Sequence, residues 1–270
     1  MPATYHGPKP RRGLVKRVRG LWKKSVFNPF HLDRVVLRQS LGEFSTALQG
    51  RVLDVGCGDK PYRTLFPGAA HYVGIEHPAA VVHQDERAGR TFRHLVGIID
   101  AFSDAAEIPF RDASFDACLC TEVLEHVPDP DRVLREIQRV LRPGGVLLVT
   151  VPFVGELHET PFDFRRFTSF GLRQSLERAG FAIERLRSRG NFPVTAAQVV
   201  SHALYRLGAR EVQRDGAVHI HPLAAVVVLP LCAAVQTAAR PFLRLSRDDA
   251  LCLGYAALAR KPAGADGESP

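Results

Sequence analysis

This sequence of 270 residues lacks the cysteine patterns of disulfide-bonded secreted proteins and of zinc-binding proteins. The five cysteines are scattered, odd in number, and form no CxxC pair or Cys/His spacing that suits a metal. A disulfide framework is therefore not expected, and neither is a metal ion. An apolar segment followed by a small-residue cleavage site is also missing near the N-terminus, so we expect no secretory signal peptide. These absences favour a reducing, cytoplasmic location.

Acidic residues are missing from the first 32 positions, which contain eight Lys and Arg. These eight account for the whole net charge of +8, since the other 28 basic residues balance the 28 acidic ones. Apolar residues of this segment recur at helical spacing: Leu14, Val15, Val18, Leu21 and Trp22. We predict a basic amphipathic arm over residues 1–30 that either binds an anionic membrane surface or is a solvated leader. Nucleic acid is not the favoured partner because the rest of the chain is neutral.

Charged side chains are missing from residues 190–205 and 216–239. The second stretch approaches the roughly 20 residues of a membrane span, although Pro222 and Pro230 interrupt it. We predict an apolar helical insertion over residues 191–250, which forms either a soluble cap over the active site or a helical hairpin in the membrane. The hairpin would dip into the inner face of the membrane or cross it twice, and the two prolines favour the shallow insertion. A single span is excluded if residues 251–262 return as the final strand of the same sheet. Residues 263–270 are predicted to be a flexible tail.

Strands and helices alternate from about residue 50. Short β-rich apolar runs predict strands buried on both faces, at 51–55, 72–76, 115–121 and 146–151. Between the last two runs, Asp129 is suited to cap a helix whose first residue is Pro130. A second helix is predicted after Thr168, followed by a strand at 181–186. This order predicts an α/β core over residues 31–190, with a Rossmann-like doubly wound sheet that is mostly parallel.

Acidic residues follow three successive predicted strands. Asp54 ends the first strand and precedes Gly56 and Gly58, which allow a ligand to approach the backbone. This spacing is not GxGxxG, so the dinucleotide fingerprint is absent. Glu76 ends the second strand, from where an acid can accept hydrogen bonds from both ribose hydroxyls. Asp104 follows a third strand candidate, which lies before the run at 115–121, and can accept a hydrogen bond from an exocyclic amine. Together they outline an adenosine-shaped site, while each acid alone could be a solvated loop carboxylate.

The segments VLDVGCG, YVGIE and 104–153 (DAAEIPF to VTVPF) resemble the class I S-adenosylmethionine-dependent methyltransferases, especially the ubiquinone/menaquinone methyltransferase-like group. The resemblance covers about residues 50–187, and 251–260 resemble the family's final, antiparallel strand. It implies S-adenosylmethionine as the cofactor. The residues that it assigns to the cofactor are Asp54, Gly56, Cys57, Gly58, Lys60, Glu76, Asp104, Ala105, Thr121 and Glu122.

The resemblance assigns these residues to different parts of the cofactor. The resemblance implies that the first loop faces the methionine part, that Glu76 binds the ribose, and that Asp104 with Ala105 faces the adenine. Thr121 and Glu122 would flank the sulfonium and the acceptor. Lys60 departs from the family, which commonly has a third glycine there, and could contact the cofactor carboxylate or an acidic substrate.

The loop after the fifth strand, GELHETPFDFRRFTSFGL, contains the candidate catalytic residues His158, Glu159, Asp163 and Arg166. His158 could accept a hydroxyl proton near neutral pH, and Arg166 could bind a phosphate or carboxylate. Alternatively, His158 and Glu159 cap and brace the loop, while Asp163 pairs with Arg165 or Arg166. The run resembles methyltransferases of glycan and lipid pathways, which favours a small-molecule or lipid-linked acceptor. A cofactor-binding protein without turnover and an RNA methyltransferase tethered by the arm are the alternatives.

Overall fold

The computed structural model describes residues 22, 25–80, 98–212, 218–246 and 248–263. Most of the predicted basic arm therefore lies outside the described residues, as does the predicted tail apart from residue 263. The described residues include the predicted sheet, the loop with the candidate catalytic residues and most of the apolar insertion.

A seven-stranded sheet forms the centre of the chain. In chain order, the strands are β1 (Gly50–Val55), β2 (Ala69–Glu76), β3 (Ala101–Phe102), β4 (Phe115–Thr121), β5 (Leu141–Pro152), β6 (Ala182–Arg189), β7 (Ala209–Val212), β8 (Val218–Ile220) and β9 (Gly254–Arg260). The sheet order is β3-β2-β1-β4-β5-β9-β6, and β7 pairs with β8 separately. β9 is antiparallel to both of its neighbours, whereas the pairs among β1 to β5 are parallel. The predicted fold class is confirmed.

Helices cover the sheet and extend the chain beyond it. In chain order, they are α1 (His31–Gly42), α2 (Pro130–Val140), α3 (Ser169–Arg178), α4 (Phe192–Leu207), α5 (Pro222–Ala239) and α6 (Phe242–Leu245), with 3-10 turns at Arg63–Leu65 and Leu124–His126. Asp129 accepts a hydrogen bond from the backbone N–H of Arg132, and Thr168 accepts one from Gly171. The two predicted caps are confirmed, and each satisfies a backbone donor at its helix start.

The core lies on both faces of the sheet because apolar residues are continuous along its central strands. On β1, Leu53 and Val55 pack into one cluster and Val52 into the other. On β4, Cys118 and Cys120 lie on the Leu53 face. All five cysteines are buried and free. With both faces covered, the carboxyl edge of the parallel strands is where polar side chains can gather.

The insertion is a pair of packed helices, α4 and α5, joined by the β7–β8 ribbon. This ribbon was not predicted, because its strands are short and have no strong apolar alternation. Gln236 of α5 donates to the carbonyls of Val26 and Asn28 and accepts from the N–H of Leu32, which ties α5 to the start of α1. The helical stretch Pro222–Leu245 is long and apolar enough to cross a membrane, by length and composition alone, and 22% of the 18-residue window that meets this criterion is buried.

Candidate functional site

A cavity of about 490 Å³ opens at the carboxyl edge of the sheet. Its walls come from the ends of β1, β2 and β4, from the segments after them, and from the loop after β5. Seven of the fourteen predicted site residues line it: Gly56, Glu76, Asp104, Ala105, Glu122, His158 and Glu159. Residues from distant parts of the sequence therefore meet at one cavity, as the shared edge of parallel strands requires.

Glu76 is held at this cavity by backbone donors. One carboxylate oxygen accepts from the N–H of Gly58 at 2.8 Å, and the other accepts from the N–H of His77 at 2.9 Å. The side chain is only 7% exposed. Burial raises the pKa of Glu76, and the two backbone hydrogen bonds oppose that rise. Each oxygen has a second lone pair, so the carboxylate can accept two ligand hydroxyls without moving.

The glycine loop after β1 has a backbone that favours glycine. Gly56 has a φ of 70° and Gly58 a φ of 49°, both in the left-handed region. A Cβ on Gly56 would also collide with the side chain of Val123. Lys60 adopts the same region, with a φ of 53°, in the place of the third glycine. The loop thus turns sharply and exposes its backbone at the cavity.

Asp54 lies behind this loop rather than in the cavity wall. Its carboxylate is buried and accepts a hydrogen bond from the Tyr72 hydroxyl at 2.7 Å. Burial raises the pKa of Asp54 to about 7, the Tyr72 hydrogen bond opposes that rise, and the nearby Glu76 adds to it. The Tyr72 partner was not predicted, since an aromatic residue in a strand usually indicates only packing.

Lys60 is paired with an acid that was not predicted. Its ammonium forms an ion pair with Asp100, which also accepts from the N–H of Gly74. A side chain on Gly74 would collide with Lys60 and Cys57, so this glycine makes room for both. The side chains of Lys60 and Cys57 therefore pack against β2, and neither residue lines the cavity.

Glu122, at the end of β4, is held between two strands. Its carboxylate accepts from the Thr150 hydroxyl at 2.8 Å and from the Arg189 guanidinium at 3.0 Å. Arg189 comes from β6 and is fully buried. Gly254 of β9 leaves the space that the guanidinium fills. Neither Thr150 nor Arg189 was predicted, because a strand arginine ordinarily points to solvent.

The four predicted residues of the catalytic loop lie in two different environments. Asp163 has no exposed side-chain surface and binds Arg166 through both oxygens, at 2.5 and 2.8 Å. It also accepts from the backbone N–H of His158 at 2.9 Å. Asp163 and Arg166 thus form the ion pair that the alternative interpretation described, and this pair braces the loop. His158 and Glu159, to which that interpretation gave the bracing role, line the cavity. Thr121 and Gly58 are also outside the cavity lining.

Two histidines meet where this loop approaches the turn after β4. The rings of His126 and His158 are nearly perpendicular, with centroids 4.7 Å apart. Glu125 lies beside them with no exposed surface, and burial raises its pKa, with a further contribution from Glu122. Glu125 was not among the predicted site residues, because the site role in this short motif was assigned to Glu122.

The comparisons with known proteins agree with this geometry. Residues 53–149 match the family described as a methyltransferase domain. The chain is 35% identical over 142 residues to a protein of Mycolicibacterium smegmatis named as a probable S-adenosylmethionine-dependent methyltransferase, covering 49% of this chain and 52% of that protein. It is 39% identical over 101 residues to the 27-O-demethylrifamycin SV methyltransferase of Amycolatopsis mediterranei, covering 36% of each. The chain spans about half or less of the length of such relatives.

A solved structure shares the fold over nearly the full length. It belongs to the complex between the Haloferax volcanii Trm112 methyltransferase activator and a methyltransferase, with a TM-score of 0.50 and 18% identity. The alignment covers 92% of this chain and 94% of that chain.

Proposed function

We propose that the chain, whose residues 53–149 match a methyltransferase domain, transfers a methyl group from S-adenosylmethionine to a small-molecule or lipid-linked acceptor. The observation that carries the proposal is the fixed carboxylate of Glu76, which lines the same cavity as Asp104 and Ala105. This arrangement matches the polar groups of an adenosine: two ribose hydroxyls and an exocyclic amine.

The wall residues then have separate roles. Glu76 binds the ribose, Asp104 and Ala105 face the adenine, and the exposed backbone at Gly56 faces the methionine part. When bound, the cofactor supplies an electrophilic methyl group, so the protein has to hold the acceptor in line with it. Glu122 is suited to that end of the cavity because Arg189 and Thr150 fix its orientation.

The acceptor side is the loop after β5. His158 and Glu159 face the cavity, and the ion pair of Asp163 and Arg166 holds His158 through the hydrogen bond from its backbone N–H to Asp163. The imidazole of His158 is suited to accept a proton from an acceptor hydroxyl, with its other nitrogen held by the carbonyl of Glu156. Asp163 and Arg166 are positioning residues in this proposal.

Calorimetric titration with S-adenosylmethionine tests the premise. We expect one site on the folded chain, and a well-folded protein that binds none contradicts the proposal. A second assay adds the cofactor with a labelled methyl group to small-molecule and lipid extracts. Label in an extracted compound supports transfer, whereas tight cofactor binding without transfer to either extract favours the binding-protein alternative.

The helical pair supports the lipid-linked branch of the proposal. Leu223, Val226 and Val227 form an apolar face on α5 with 77%, 72% and 61% of their surface exposed. Such a face is costly in water and suits the boundary of a lipid layer. The other helix, α4, contacts the acceptor loop, because Arg206 forms an ion pair with Glu156 at 3.0 Å. A membrane bound at α5 would therefore lie near the loop that receives the acceptor.

A further inference from the structure

Three potential ligand groups converge where the acceptor loop meets the turn after β4. One ligand atom from each of Glu125, His126 and His158 lies within 4.8 Å of the others. His126 and His158 line the cavity, and Glu125 is buried directly beside them. The Nε2 atom of His126 is 3.7 Å from a carboxylate oxygen of Glu125, too far for a hydrogen bond.

The hydrogen bonds of the two histidines settle which nitrogen is free. The Nδ1 atom of His126 is 2.7 Å from the carbonyl oxygen of Phe162, and that of His158 is 3.0 Å from the carbonyl oxygen of Glu156. A carbonyl has no proton to give, so each Nδ1 is the donor. In the neutral rings each Nε2 therefore has a lone pair to offer. Metal-binding histidines are held in this way, with the second nitrogen donating to a carbonyl or carboxylate.

A cation bound at this cluster would compensate the charge of the buried Glu125 carboxylate. Within the part of the chain that the structure describes, neither of its buried oxygens has a hydrogen-bond partner. A buried carboxylate without a partner is costly, whereas a bound cation compensates its charge. This orphaned group, beside two oriented histidines, is the second observation that points to a ligand.

We propose that Glu125, His126 and His158 form a binding site for a divalent transition metal. Two imidazoles and one carboxylate suit Zn²⁺ or Fe²⁺ better than Mg²⁺, which prefers oxygen ligands. Tetrahedral zinc ligands at about 2.1 Å from the ion lie about 3.4 Å apart, so the cluster closes by about 1 Å on binding. The sequence led us to expect no metal, because the spacing of these residues matches no ligand motif.

The site would change the chemistry of the acceptor side. An ion held by three protein ligands has an open position, and the two histidines border the cavity, so this position can bind an acceptor oxygen. The ion would lower the pKa of a bound hydroxyl, and the lone pair of His158 would serve as a ligand rather than as a base. This role at the acceptor rests on the proposed function, while metal binding itself does not.

Calorimetric titration of the chelator-treated full chain with zinc chloride tests the site. We expect one strong site, and we expect Glu125→Gln and His158→Ala each to weaken it by about 100-fold or more. His71→Ala, an exposed histidine of β2, is the matched control and should leave the affinity unchanged. Magnesium chloride should not bind there. The proposal is overturned if the unaltered chain binds zinc only weakly. It is also overturned if both ligand variants bind zinc as tightly as the unaltered chain does.

Two further measurements keep the result unambiguous. His158 lies on a loop with its side chain partly exposed, so His158→Ala should fold even if Glu125→Gln does not, and thermal unfolding checks both. Titration of the same samples with S-adenosylmethionine is separate. A chain that binds zinc but no cofactor supports the metal site and contradicts the proposed function, whereas the reverse contradicts the metal site alone.

Discussion

The carboxyl edge of the sheet and the α4–α5 helical pair distribute polarity in opposite ways. At the sheet edge, apolar residues are buried on both faces, and charged groups such as Glu76 and Glu122 gather around the cavity. In the helical pair, the amides of Gln198 and Gln236 are buried, while Leu223 and Val226 are exposed. The first region is thus organised for a polar ligand, and the second is organised around polar anchors with an apolar outer face.

The two regions show that burying a polar side chain can have opposite effects on stability. Gln236 is buried with three hydrogen bonds, so its burial stabilises the attachment of α5. Asp54 and Glu76 are buried as acids with raised pKa values, so their burial costs stability and indicates a functional requirement. Four predictions test this contrast.

The pH dependence of stability tests the cost of Asp54. Its pKa is raised to about 7 in the folded protein, so between about pH 4 and pH 7 the folded state holds a proton that the unfolded state has released. Stability from this group is therefore present at low pH and lost as the pH rises, by at most about 4 kcal/mol. Asp54→Asn should remove that loss while leaving an acceptor for Tyr72. Urea unfolding of the ligand-free chain near pH 4 and pH 7 measures it, and parallel curves for both proteins would contradict it.

Substitution of Glu76 tests the functional requirement directly. Glu76→Ala should weaken S-adenosylmethionine binding by roughly 100-fold, because two charge-assisted hydrogen bonds are worth about 3 kcal/mol together. Calorimetric titration measures the affinity. Glu177→Ala, on the exposed side of α3, is the control and should bind normally. An unchanged affinity of the Glu76 variant would refute the ribose assignment.

The polar anchor of the helical pair is tested at Gln236. Gln236→Leu should lower the free energy of unfolding by about 2 kcal/mol, since three buried backbone groups lose their partner. Gln174→Leu, on the surface of α3, should change it by less than about 0.5 kcal/mol. Urea unfolding compares the two, and equal stabilities would show that the buried amide is not an anchor.

The apolar face of α5 is expected to give the smallest effect. Val226→Glu with Val227→Glu should reduce sedimentation with phosphatidylcholine vesicles containing phosphatidylglycerol by about tenfold, without lowering the unfolding temperature. Phe170→Glu removes an equally exposed apolar residue from α3 and should not reduce binding. If the unaltered chain does not sediment with these vesicles, the membrane branch of the proposal is wrong.

Local signals predicted much of the fold. Runs of β-branched residues located the strands, and Asp129 and Thr168 located helix starts, because caps act within one turn. Glu76 and Asp104 were predicted at one cavity since successive parallel strands end at the same edge. Such signals depend on the residue and its near neighbours, which is why a single sequence contains them.

The partners of these residues were not predictable in the same way. Tyr72 with Asp54, Asp100 with Lys60 and Arg189 with Glu122 are separated by 18, 40 and 67 positions. No local pattern specifies such pairs, because they depend on which strands become neighbours and on the space left by residues such as Gly74 and Gly254.

Propensity and periodicity are local properties, so the amino-acid sequence was enough to predict the α/β class, the strand-end acids and the apolar character of the insertion. The folded chain was needed to show that His158 faces the cavity while Asp163 braces the loop, and that Glu125 meets two histidines. Burial and pairing are properties of the packed chain, because a carboxylate becomes a brace, a ligand or a solvated group according to what the fold places beside it.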